Sequence, residues 1–166
     1  MEASRRLKLP SLGTAKQCED ALASRWVCLN PIPMFGSNLY DAMDWFGTWI
    51  LDVARRGPGL KILYVDELWK FCDGRNAAPR SIEEIVRGIG RTEGVQFISS
   101  TQHPRDYHRN IRAEVTEWVC FNTVEPGDLD AVRPYYPGVD KAAALPKGSF
   151  LSYTRETGAE VAGKVF

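Results

Sequence analysis

The 166-residue chain is long enough to bury the core of one domain, and its 44% hydrophobic and 25% charged content is ordinary for a globular protein. Lysine plus arginine equals aspartate plus glutamate at 21 each, so a global basic field for nucleic acid is excluded and any such contact must come from local clusters. No apolar run approaches the length of a membrane span, and the start Met1-Glu2-Ala3-Ser4-Arg5-Arg6 lacks a signal-peptide core, so a soluble cytoplasmic chain without direct membrane insertion is expected.

Residues 1–13 show no periodicity and read as a loose arm before a domain over 14–166. Thr14-Ala15-Lys16-Gln17 fits a capping box for a short helix with Cys18, Ala21 and Leu22 inside. Trp26 to Leu29 reads as a first buried strand, ended by Asn30-Pro31. Ser37 or Asn38 caps a longer helix whose inner stripe is Leu39, Met43, Phe46, Ile50 and Val53, widened by Trp45 and Trp49 as core aromatics, and Gly57-Pro58-Gly59 ends it. Lys61 to Val65 then predicts a short strand buried on both faces, with Asp66 and Glu67 at its C-terminal end.

Ser81-Ile82-Glu83-Glu84 forms a second capping box, and Ile82, Ile85, Val86 and Ile89 follow on one helical face. Gly88 to Gly94 has the wrong spacing and context for a dinucleotide loop and reads as a C-cap and tight turn. Val95 to Thr101 predicts the next strand, ending in Gln102, with Pro104 blocking continuation. A short helix over 106–113, a strand over 117–122, helical turns near 128–132 and 139–145, and a final hairpin of 149–154 and 160–166 complete the chain. The strand–helix alternation predicts an α/β fold: a doubly wound, mostly parallel sheet. Cys18, Cys28, Cys72 and Cys120 share no metal spacing and read as thiols in a reducing compartment.

An apolar strand followed by Asp-Glu is the Walker B pattern, in which one carboxylate holds Mg²⁺ through water and the other polarises the water that attacks a γ-phosphate. The bland alternative is a strand ending in a solvated acidic turn. If the strand ending in Thr101-Gln102 is its parallel neighbour, a neutral amide joins the two carboxylates at one sheet edge, suited to sensing a phosphate without adding negative charge. Ser99, Ser100, His103 and Asp106 offer the residue types of a hydrolase triad, but no nucleophile elbow is present. Arg105, Arg109 and Arg112 recur within eight residues, more often a solvated face than a DNA-binding cluster. His103 and His108 read as loop residues.

The runs 61–67, Gly90-Arg91-x-x-Gly94, Phe97 to Pro104, Ile111-Arg112 and Leu145-Pro146-x-Gly148 before a hairpin together resemble the FtsK/HerA group of P-loop motor ATPases over about residues 26–166. The filamentous-phage assembly ATPases related to zonula occludens toxin are similar in the same stretches. The resemblance implies the additional-strand P-loop NTPase fold with a C-terminal β-hairpin. It implies an ATP-hydrolysing motor that translocates double-stranded DNA in phage, plasmid or chromosome transfer, as a homo-oligomeric ring such as a hexamer. It assigns Mg²⁺ to Asp66, the general base to Glu67, the γ-phosphate sensor to Gln102, and a trans-acting arginine finger to Arg91, for which a surface arginine at a helix end is the equal alternative.

One departure is serious: the sequence contains no Gly-x-x-x-x-Gly-Lys-Ser/Thr loop, and Gly13-Thr14-Ala15-Lys16-Gln17 lacks the first glycine. The expectation is therefore an ATPase core incomplete at its N-terminus that binds ATP poorly by itself. A catalytically inactive or truncated assembly subunit, working with an active partner ATPase, is the alternative.

Overall fold

The computed structural model describes residues 11–21, 27–72 and 78–165, which form two compact units. Of the described residues, the first unit comprises 11–21, 27–64, 70–72 and 78–98, and the second 65–69 and 99–165.

In the first unit, β1 (Ser11–Leu12) pairs in parallel with β2 (Cys28–Leu29), so residues 11 and 12 are strand where a loose arm was expected. Trp26 and Leu22, assigned to strand and helix from the sequence, lie outside the described residues. The Thr14 hydroxyl accepts from the Gln17 N–H at 3.1 Å and caps α1 (Ala15–Asp20). The return bond of this box goes one residue further back than usual, with Gly13 N–H donating to Gln17 Oε1 at 2.9 Å.

After one turn of helix, α2 (Ile32–Phe35), the 18-residue α3 (Leu39–Arg56) is capped by Asn38, whose side-chain oxygen accepts from Asp41 N–H at 3.2 Å. Its buried face is Ala42, Met43, Phe46, Gly47, Leu51 and Ala54, rotated from the expected stripe so that Leu39, Ile50 and Val53 are only half-buried. Small residues enter this face because α4 (Arg80–Glu84) comes close. A Cβ on Gly47 would lie 2.3 Å from Ser81 Oγ. Trp45 and Trp49 stack with centroids 6.3 Å apart and pack on the Cys18–Phe46 cluster.

The sequence-level cap at Ser81 is overturned. Pro79 occupies the N-cap position, Ser81 lies inside α4 and is buried, and the Asp44 carboxylate of α3 accepts from Ser81 N–H at 2.7 Å. An Asp from a neighbouring helix replaces the local cap. Beyond α4 the helical chain runs on from Ile85 and kinks at Gly88, whose φ of +139° is not helical, before α5 (Gly90–Glu93), which Gly94 in the left-handed region ends. Gly88 thus interrupts the helix and Gly94 closes the following turn, as the expected glycine cap requires, while Gly90 opens that turn.

β3 (Lys61–Asp66) and β4 (Val95–Ser100) are hydrogen-bonded neighbours. Lys61 N–H donates to Gly94 C=O, and Glu67 N–H to Ser100 C=O, both at 2.9 Å, and equal spacing along both strands makes the pair parallel. β3 is not buried on both faces. Leu63 and Val65 are buried, while Ile62 and Tyr64 are exposed, the alternation of a strand covered on one side.

In the second unit, α6 (Arg109–Glu114) leads to β5 (Glu117–Cys120), and α7 (Pro126–Val132) with a 3₁₀ turn (Val139–Ala144) leads to the hairpin β6 (Ser149–Thr154) and β7 (Ala159–Lys164). The expected hairpin is present, and β5 joins it to make an antiparallel three-stranded sheet, β5-β6-β7. Its inner face supplies Trp118 and Leu151 to a core with Leu129, Val132, Tyr136 and Val139. Tyr136 stacks on Tyr153, centroids 4.5 Å apart. Its buried hydroxyl donates to Glu160 Oε2 at 2.6 Å, and Lys141 Nζ pairs with Glu160 Oε1 at 2.7 Å.

Candidate functional site at the β3 and β4 strand ends

The alternation along β3 places Asp66 on its exposed face, and Glu67 follows as the first residue past the strand. Glu67 has φ +54°, the one non-glycine with positive φ among the described residues. A left-handed glutamate costs roughly 1 kcal/mol, so the surrounding contacts must hold it there. Three donors do so. Gln102 N–H reaches Glu67 Oε1 at 3.1 Å, and the Thr101 hydroxyl reaches Oε2 at 3.3 Å. Trp69 Nε1 also donates to Oε2. Next to it, Ser100 Oγ donates to Asp66 Oδ1, leaving Oδ2 without a hydrogen bond among the described residues.

The structure therefore brings Asp66, Glu67 and Gln102 to one strand edge, as the sequence argument requires. Gln102 contributes its backbone N–H to this net. Its side chain is exposed, and its amide makes no hydrogen bond among the described residues. Arg91 belongs to the first unit, exposed on α5, with no hydrogen bond or ion pair among the described residues.

The triad residue types do not assemble. Ser100 Oγ is bound to Asp66, the Tyr107 hydroxyl lies 3.0 Å from Ser99 Oγ and donates to Ser100 C=O at 2.7 Å, and His103 turns to an aspartate instead of a serine. That aspartate is Asp128, in the first turn of α7 and only 1% exposed. Its carboxylate accepts from Arg105 N–H at 3.2 Å and lies 3.4 Å from His103 Nδ1. It anchors the segment directly after Gln102. Sequence reasoning passed over Asp128, and its one local signal was an acidic residue two places after Pro126 at a helix start.

Of the three clustered arginines, Arg105 pairs with Glu125 at 3.1 Å and Arg112 donates to Ala131 C=O at 3.2 Å. Arg109 is exposed and unpaired among the described residues. The cluster is mostly used inside the protein. The four cysteines form no disulfide, and burial is the main cause that pushes the Cys72 and Cys120 thiols up to about 11, leaving them protonated and unreactive at neutral pH. Among the described residues no three metal-ligating side chains cluster, and no helix is long and apolar enough to cross a membrane.

These features define an α/β protein with the P-loop NTPase fold. Solved structures to which the chain is similar include those of the genome packaging NTPase B204 from Sulfolobus turreted icosahedral virus 2. The complex with AMPPCP aligns with a TM-score of 0.76 at 19% identity, covering 96% of this chain and 75% of that one. The ATP-gammaS complex gives 0.77 at 16% identity, covering 99% and 87%, and the AMP complex gives 0.73 with the same identity and coverage. No protein-family model and no curated protein matches the sequence.

Proposed function

We propose that the chain is an ATP-hydrolysing, DNA-translocating subunit of the FtsK/HerA type, acting in genome packaging or transfer within a cytoplasmic ring. The observation that carries this reading is the convergence of Asp66, Glu67 and Gln102 at the ends of two hydrogen-bonded parallel strands. The nucleotide complexes of B204 support it, since that protein has the same fold and binds ATP analogues.

The donor set fits Mg²⁺. This ion keeps several waters and needs only one or two carboxylates, and Asp66 presents an exposed carboxylate with one uncommitted oxygen. Bound there with ATP, Mg²⁺ would supply neutralisation of phosphate charge. Glu67, tied by three donors, would orient the attacking water and take its proton, and the Gln102 amide would contact the γ-phosphate without adding charge. Arg91, exposed and unpaired, suits a phosphate on a neighbouring subunit.

A second reading, a catalytically silent assembly subunit paired with an active ATPase, is favoured by one observation. In the β1–α1 turn the N–H groups of Gly13 and Gln17 are occupied by the Gln17 and Thr14 side chains. A phosphate loop needs such groups for its ligand.

Phosphate release by the full chain with duplex DNA separates the two. Glu67→Gln should lower turnover about 100-fold while leaving MgATP affinity within about threefold. Unchanged turnover removes Glu67 from the base role. Absence of MgATP binding by calorimetry at millimolar concentration favours the silent subunit.

A further inference from the structure

Glu67 is the one described non-glycine at positive φ, and that backbone state has a local consequence. It turns the chain directly into the 3₁₀ stretch Leu68–Phe71, which brings the Trp69 indole back towards the side chain two residues earlier. A glutamate carboxylate offers about four lone-pair directions. Oε2 receives two donors, Trp69 Nε1 and Thr101 Oγ1, and Oε1 receives one, Gln102 N–H. Donors lower the basicity of the oxygen they bind, so Oε1 is left as the more basic oxygen with more lone-pair capacity open.

We propose that Trp69 is a positioning residue for Glu67: its indole N–H, with Thr101, fixes Oε2 and so selects Oε1 as the oxygen that faces water. An indole suits this role because it only donates, carries no charge at any working pH and is held rigidly by its own bulk. A lysine there would neutralise the base, and a hydroxyl could accept as well as donate. The catalytic consequence rests on the reading of Glu67 as the group that activates water. The contact does not.

The test therefore has two arms. In the full chain at pH 7, the Trp69 indole ¹⁵N–¹H resonance, assigned by its loss in Trp69→Phe, is compared between wild type and Glu67→Leu. It should lie downfield in the wild type, as a hydrogen-bonded indole proton does, and move upfield when the acceptor is removed. An indole resonance at the same position in both chains overturns the proposal. In the phosphate-release assay, Trp69→Phe, which keeps a large aromatic ring but loses the N–H, should lower kcat about tenfold with KM within twofold, and Trp69→His, which restores a ring donor, should recover at least a third of the loss. An unchanged kcat in Trp69→Phe overturns the proposal even where the indole resonance responds to Glu67→Leu. A wild-type chain without turnover rejects the ATPase reading, and the indole comparison then decides the positioning contact alone.

Discussion

Two polar nets in the second unit use hydrogen bonds in opposite ways. At the strand ends, Asp66, Glu67, Trp69, Ser100, Thr101 and Gln102 bind one another around a left-handed glutamate, and both Asp66 and Gln102 remain open to solvent. Around the sheet, Asp128 and the Tyr136–Glu160–Lys141 set join polar groups to buried side chains on ordinary backbone. The difference teaches what each net is for. Bonds that support a strained, half-buried carboxylate at an open strand edge hold a geometry, whereas bonds to side chains excluded from water hold a fold.

The largest expected effect tests the buried net. Asp128→Ala should cost about 3 kcal/mol in urea unfolding, because the Arg105 N–H and His103 lose their shared acceptor inside the protein. Asp128→Asn, which still accepts from Arg105, should cost less than half of that. Next, Tyr136→Phe should cost about 2 kcal/mol by the same measurement, the value of a buried hydrogen bond to a charged group, with the stack on Tyr153 kept.

Glu67→Gly should leave stability within about 1 kcal/mol of wild type, since relief of the left-handed backbone offsets the lost bonds. A loss above roughly 3 kcal/mol would make the strand-end net structural and end the contrast.

The smallest effect is in the acid response. Lys141, and after it Tyr136, hold the Glu160 carboxyl below the usual glutamate range. A depressed folded value means that this stabilisation is fully present above the unfolded value of about 4.3 and is lost as pH falls through the lower folded one. Lys141→Ala should therefore flatten the fall in melting temperature below about pH 4.

Elements whose signals are local were legible in the sequence. Asn38 capping α3, the Thr14 box, β4 ending before Gln102 and the hairpin around Gly158 each depend on neighbours within a few residues. So did the Asp-Glu strand end, because a strand places its last side chains by simple alternation. What escaped depends on distant partners. Asp44 reaches Ser81, Asp128 reaches the segment after Gln102, and the exposure of Ile62 and Tyr64 follows from what covers a sheet face, which a run of apolar letters does not state. The left-handed backbone of Glu67 has no sequence signal, since glutamate is a poor choice there on local grounds.

The kink at Gly88 sets the bearing of everything that follows it on that segment. Its φ of +139° breaks the helical path, and Gly90 N–H reaches back across it to Ile85 C=O. Each residue of a regular helix advances about 100° around the axis, so one residue more or fewer swings the next turn by over a quarter of a circle. Shortening the segment by Gly88 would keep every charged group and still aim Arg91 in a new direction, separating the effect of where that guanidinium points from the effect of its presence.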